Sequence, residues 1–199
     1  MRRLRHLSVG GGRTCRVTFQ GGLAPLLEAC GDSLLSLTLA ELDVAIDVGA
    51  VLRRCPNLTA LHLLDNAGYD GGGADAGAVG RLETLHVSCS SESSGPSGAD
   101  WSGLLASAEL RHLKLRGCAA LTEEVWRRAW NGHRFGRLQR LELDECHQMT
   151  PAGVDLVAAR AGALSLLKTW RCRRLTRQDA DRWTARALKK KWRLAVHWT

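Results

Sequence analysis

The chain has 199 residues, 45% of them apolar, which is enough for one globular core or a short repeat array. No run approaches the length of a membrane span, and the basic start, Met1 to His6, lacks the apolar stretch of a secretory signal. The formal net charge of +8 is uneven: residues 1–100 hold 8 basic against 11 acidic side chains, and residues 101–199 hold 20 against 9. A half that basic suits an acidic partner or nucleic acid, or it reflects arginine used simply as a solubilising residue.

Taken in chain order, the spacing L-x-x-L-x-L recurs from Leu4, Leu34, Leu58, Leu82, Leu110, Leu138 and Leu164, at steps of 30, 24, 24, 28, 28 and 26 residues. Each occurrence predicts a short strand, and Leu4, Leu7 and Val9 already obey the spacing, so the start reads as repeat rather than leader. The intervening segments predict helices with one apolar face: Leu23, Leu26, Leu27 and Cys30; Val48, Val51, Leu52 and Cys55; Trp101, Leu104, Leu105 and Ala108; Val154, Val157, Ala158 and Ala161; then Ala180, Trp183 and Ala187. Thr150 is placed as an N-cap, with Pro151 at the first helical position, where its missing N–H costs nothing. Residues 66–80 are too glycine-rich for more than a weak helical turn, and 88–100 form a Ser/Gly loop. An eighth strand is expected at Trp192–Trp198, where strict alternation replaces the leucine spacing. With Lys189–Lys191 it closes the C-terminal end. The N-terminal side begins inside a repeat without a cap, which we read as the mark of a fragment or of a paired end.

Helix and strand periods that alternate in this way predict an α/β fold: parallel strands on a concave face, helices on a convex one, and the whole of 1–199 as one domain of about seven repeats. The leucines of each strand turn inward, so the intervening residues form outward columns. The first runs His6, Ser36, Ala60, Thr84, His112, Arg140, Leu166. The second runs Ser8, Thr38, His62, His86, Lys114, Glu142, Lys168, and the third Gly10, Ala40, Leu64, Ser88, Arg116, Asp144, Trp170. The early part of this face is small and bland. The candidate partner-binding residues are therefore His62, His86, His112, Lys114, Arg116, Arg140, Glu142, Asp144, Lys168 and Trp170, because Arg and Trp are frequent interface anchors. The competing reading is a solvated surface on which Lys114, Arg140, Glu142 and Lys168 pair across strands.

Catalytic and cofactor chemistry finds little support. Seven cysteines is an odd count, none lies in a C-x-x-C pair, and five fall at equivalent repeat positions, which predicts buried reduced thiols. One ligand per repeat would form a line, not a tetrahedron, and His62 beside His86 lacks a carboxylate or thiolate, so no metal is expected. Cys146 beside His147 is the one candidate nucleophile, without an orienting third group. Gly71–Gly73 is not followed by the Lys-Ser/Thr of a phosphate loop.

The motifs carry a resemblance. Cys55-Pro56-Asn57-Leu58 running into Leu61 and Leu63 resembles the junction of cysteine-containing leucine-rich repeats. Cys118-x-x-Leu121-Thr122 and Cys146-x-x-Met149-Thr150-x-x-Gly153-Val154 look like its strand-to-helix passage. The resemblance covers nearly the whole chain and implies a leucine-rich repeat solenoid. Such repeats are typical of the substrate-binding half of F-box/LRR proteins, the receptor subunits of cullin-based ubiquitin ligases. It therefore implies a non-enzymatic protein-binding module in the cytoplasm or nucleus, without cofactor or membrane partner. The F-box itself has no counterpart in the sequence, so an adaptor could be reached only through a missing N-terminal region. The alternatives are a repeat scaffold outside ubiquitin chemistry and a binder of RNA or acidic surfaces through Arg171, Arg173, Arg174 and Lys189–Lys191.

Overall fold

A leucine that recurs at every second position along a strand drives its own face of a sheet into the core, and the fold follows from that rule. The computed structural model describes residues 4–11, 18–70, 81–90, 95–96, 101, 104–105, 107–132, 135–189 and 193–199. Its strands are β1 (His6–Gly10), β2 (Ser36–Ala40), β3 (Ala45–Asp47), β4 (Ala60–Leu64), β5 (Gly68–Asp70), β6 (Thr84–Ser88), β7 (His112–Arg116), β8 (Arg140–Asp144), β9 (Leu166–Trp170) and β10 (Ala195–Trp198). Eight of these make a wholly parallel sheet in the order β1-β2-β4-β6-β7-β8-β9-β10, so each main strand lies beside the next one in the chain. The α-helices among the described residues are α1 (Ala24–Cys30), α2 (Val48–Arg54), α3 (Glu123–Gly132), α4 (Pro151–Arg160) and α5 (Arg177–Lys189). None is long and apolar enough to cross a membrane.

The pleat sorts the side chains. Leu37 and Leu39, Leu61 and Leu63, Leu85 and Val87, Leu113 and Leu115, Leu141 and Leu143, Leu167 and Thr169 are all buried on one face. Each buried leucine contributes about 1.5–3 kcal/mol relative to exposure. Helical stripes complete the core: Val48, Val51 and Leu52 from α2, Val125, Trp126 and Ala129 from α3, Val154, Val157 and Ala158 from α4, Ala180, Trp183 and Ala187 from α5. Trp126 meets Phe135 edge-on at 5.8 Å between ring centroids.

Local signals set the helix starts. Asp47 Oδ1 accepts from the Ala50 N–H at 2.7 Å, and Thr150 Oγ1 accepts from the Gly153 N–H at 3.2 Å, with Pro151 first in its helix as the sequence predicts. The Thr150 hydroxyl also donates to Glu123 Oε2 at 3.1 Å, tying α4 to the first turn of α3. Thr176 and Asp179 cap α5 reciprocally.

Five of the passages out of the main strands use the same backbone device. Glu41, Asp65, Gly117, Glu145 and Arg171, each the residue after a main strand, have φ between 49° and 63°. The first four N–H groups donate to the last carbonyl of the next strand, as in Glu41 to Leu64 at 2.8 Å and Glu145 to Trp170 at 2.9 Å, and that of Arg171 to Thr199 O, just past β10, at 3.0 Å. Gly117 alone needs glycine: a Cβ there would lie 2.2 Å from the Cys89 carbonyl oxygen. The following residue then turns inward. Cys118, Cys146 and Cys172 point their thiols at the carbonyls of Val87, Leu115 and Leu143 in the preceding strand, at 3.9, 3.5 and 3.7 Å. Asn66 holds the same position and does it with an amide, donating to Leu39 O at 3.0 Å and accepting from the Leu42 N–H at 3.1 Å. The aligned cysteines are thus structural, as their repeat position suggests.

Several details depart from the sequence reading. Leu26 is 40% exposed, and in its place Phe19 joins Leu23 and Leu27 in the core, because the segment enters α1 through a wider turn at Phe19–Leu23. Trp101, Leu104 and Leu105 are buried as expected, but Ala108 is exposed and Ser107 is buried instead, its hydroxyl donating to Leu82 O at 2.8 Å. In the glycine-rich stretch, Gly68–Asp70 pairs in parallel with Ala45–Asp47 as a second, two-stranded sheet, a cross-repeat contact with no periodicity to announce it. The last strand starts at Ala195. The remainder of the two loops (71–80, 91–94 and 97–100) and the Lys190–Trp192 part of the closing segment lie outside the described residues.

Candidate functional site

The register aligns the outward columns residue for residue. Ser36, Ala60, Thr84, His112, Arg140 and Leu166 are successive partners. So are Thr38, His62, His86, Lys114, Glu142 and Lys168, and likewise Ala40, Leu64, Ser88, Arg116, Asp144 and Trp170. β10 extends the first two with Ala195 and His197. The face away from the helices therefore carries all ten candidate residues on β4, β6, β7, β8 and β9. Exposure rises along it: His62 and His86 are half-buried, whereas Lys114, Arg116, Arg140 and Trp170 are exposed.

Elsewhere several arginines are tied to carboxylates. Arg54 meets Glu28 at 3.0 Å, Arg111 meets Glu83 at 3.5 Å, Arg127 meets Glu123 at 2.8 Å, Arg128 meets Glu124 at 3.1 Å, and Arg182 meets Asp155 at 3.2 Å. Arg137 pairs with Glu109 in the same way. On the open face, the third column follows suit at its rim, with Arg116 3.6 Å from Asp144 and 3.7 Å from Glu145, itself 3.1 Å from Arg171. The Arg171 guanidinium, with Arg116 adding, holds the Glu145 carboxyl below its ordinary range. The other two columns differ. Among the described residues no ion pair engages Lys114, Arg140, Glu142 or Lys168, although Glu142 is the direct strand partner of both lysines. The cross-strand pairing expected of a merely solvated surface is not formed there.

Two depressions share Lys114 and Glu142. One, about 160 Å³, is lined by His62, His86, His112, Arg140 and those two; the other, about 120 Å³, extends to Asp144, Lys168 and Trp170. His62 and His86 meet edge-on at 5.9 Å. Burial lowers the pKa of both rings, and for His86 the Lys114 and His62 charges push further, to about 4, so both are neutral near pH 7. Trp170 is 40% exposed and sandwiched by cations, with Lys168 Nζ 5.3 Å and the Arg171 guanidinium carbon 5.6 Å from its ring centroid.

No group of three His, Cys, Asp or Glu side chains that could hold a metal occurs among the described residues. The six described cysteines are free thiols. Burial pushes Cys55 up to about 11 and Cys172 up to about 12, and the Cys146 and Cys89 thiols, then burial, hold Cys118 well above its ordinary range. These three thiols are poor nucleophiles, whereas the Cys118 thiol lowers the pKa of Cys146, the candidate nucleophile, which is fully buried. A larger groove of about 570 Å³ lies beyond the strand ends, lined by Glu41, Asp43 and Asp65 together with Gly11, Ala67 and Ser90. Sequence reasoning missed it because its walls come from four different post-strand segments. Compared with protein-family models the chain has no match, and no curated protein matches it either.

Proposed function

We propose that the chain is a leucine-rich repeat solenoid acting as a non-enzymatic protein-binding module, with its partner held on the open face between His62 and Trp170. The observation that carries this reading is the gathering on one face of Lys114, Arg140 and Lys168, none of them in an ion pair among the described residues, beside exposed Trp170. An exposed Trp beside uncompensated cations is what an interface anchor looks like before its partner arrives. The repeat assignment rests on strands stacked in chain order, the left-handed residue that follows five of the main strands and the Asn/Cys ladder behind it.

The motif resemblance takes the proposal one step further, to the substrate-recognition arm of an F-box/LRR-type ubiquitin ligase receptor working in the cytoplasm or nucleus. Affinity capture from cell extract, comparing wild type with Arg140→Glu/Trp170→Ala by mass spectrometry, tests both layers. A discrete protein captured by wild type and lost with the variant is the expected result, and co-captured adaptor and cullin would support the ligase assignment. Capture of a partner without them would leave a repeat scaffold outside ubiquitin chemistry. Identical capture by both forms, or salt-labile nucleic acid alone, would remove the open face from consideration.

A further inference from the structure

The smaller depression's shared wall and the larger one form a single track across β4, β6, β7, β8 and β9. Four strand steps at about 4.8 Å make it roughly 19 Å long, which an extended peptide covers in about six residues. A volume of about 160 Å³ suits one side chain and is well below the size of an ordinary small-molecule pocket. Over an apolar floor of Leu85 and Leu113, most of its polar side chains are donors. The Lys114 ammonium and the Arg140 guanidinium are in no ion pair among the described residues, and the neutral His62 and His86 rings each offer an N–H. Glu142 is the single acidic group in that lining.

Resting on the binding face proposed above, we propose that this track takes an extended acidic peptide segment, one carboxylate seated between Lys114 and Arg140 and another near Lys168. A neighbouring apolar side chain covers the Trp170 ring. Charge complementarity argues for the carboxylates, since a charge-assisted hydrogen bond to either cation replaces water without breaking an existing ion pair. The position of the acidic groups argues for a peptide over a nucleic acid strand. Glu142 stands between Lys114 and Lys168, and Asp144 between Arg116 and Trp170, on adjacent strands. A continuous phosphate chain would meet both, whereas a peptide can place uncharged residues opposite them.

The test is fluorescence anisotropy at moderate salt with three labelled probes of equal length: a Glu/Ser peptide carrying one Leu, the same peptide with Gln for Glu, and oligouridine. The Glu peptide should bind about tenfold more tightly than the Gln peptide, and Lys114→Gln and Arg140→Gln should each weaken it about tenfold. Arg173→Gln, outside the track, should leave it unchanged, and circular dichroism establishes that each variant is folded. Equal binding of the Glu and Gln peptides, or no loss with Arg140→Gln, overturns the acidic-peptide assignment. Oligouridine that binds as tightly and is lost in the same variants overturns it in favour of a general polyanion site. A captured protein partner still lost with Trp170→Ala, beside a failed peptide test, would leave the binding face standing and remove only its acidic ligand.

Discussion

Replacing Asn66 by alanine is the sharpest probe of how the repeats are joined. Asn66 is 1% exposed, and its amide bridges two backbone groups from the neighbouring repeat, Leu39 O at 3.0 Å and the Leu42 N–H at 3.1 Å. Alanine leaves the Leu42 N–H buried without a partner, at about 1–3 kcal/mol, and removes the amide from the Leu39 carbonyl, at about 0.5–1.5 kcal/mol, so the expected cost is about 2–4 kcal/mol. Asn66→Cys supplies the side chain used at Cys118, Cys146 and Cys172, whose thiols donate to the equivalent carbonyl but serve the N–H poorly. It should recover roughly half of the loss. Urea denaturation followed by tryptophan fluorescence and circular dichroism reads this directly. With a slope of about 1–3 kcal/mol per molar, the alanine midpoint should fall by about 1–2 M and the cysteine midpoint should lie between alanine and wild type. An alanine variant within about 0.5 kcal/mol of wild type would refute the view that this position clamps one turn to the next.

Two further outcomes follow from buried polar groups. Thr169 occupies the inward column otherwise held by leucine and valine, is 1% exposed, and its hydroxyl meets no partner among the described residues. Thr169→Val should therefore raise stability by about 1 kcal/mol, measured as a shift of the same urea midpoint. His86 ordinarily titrates at 6.5 but in the fold stays neutral down to about 4, through burial first, then Lys114 and His62, with Asp65 opposing. As pH falls below 6.5 the unfolded chain takes up the proton first, so stability declines through that window and levels off below the folded value. Because the ring is only half-buried the loss should be about 1–3 kcal/mol. His86→Gln should flatten the difference between midpoints at about pH 7 and about pH 4.5, and an unchanged difference would show that the ring does not drive it.

The sequence by itself determined the strands and their alignment. Leucine at alternate positions can face only one side of a pleated strand, and equivalent strands stacked in parallel have one register that keeps every leucine inside. That is why the outward columns can be read directly from the spacing, and why His112, Arg140, Lys114, Glu142, Lys168 and Trp170 can be placed as neighbours in advance. Thr150 and Pro151 were equally legible, because a cap acts within one helical turn. Only the tertiary structure decided what depends on distances between repeats. Gly68–Asp70 finds its partner at Ala45–Asp47, and Ser107 and Phe19 enter the core where Ala108 and Leu26 leave it. The left-handed residues at Glu41, Asp65, Glu145 and Arg171 carry ordinary side chains that give no hint of their backbone. Above all, composition could not say which charges are spent. Arg116 is held by Asp144 and Glu145 while Arg140, in the first column of the adjacent strand, makes no ion pair among the described residues, and that difference of a few ångströms is what separates a solvated surface from a candidate binding face.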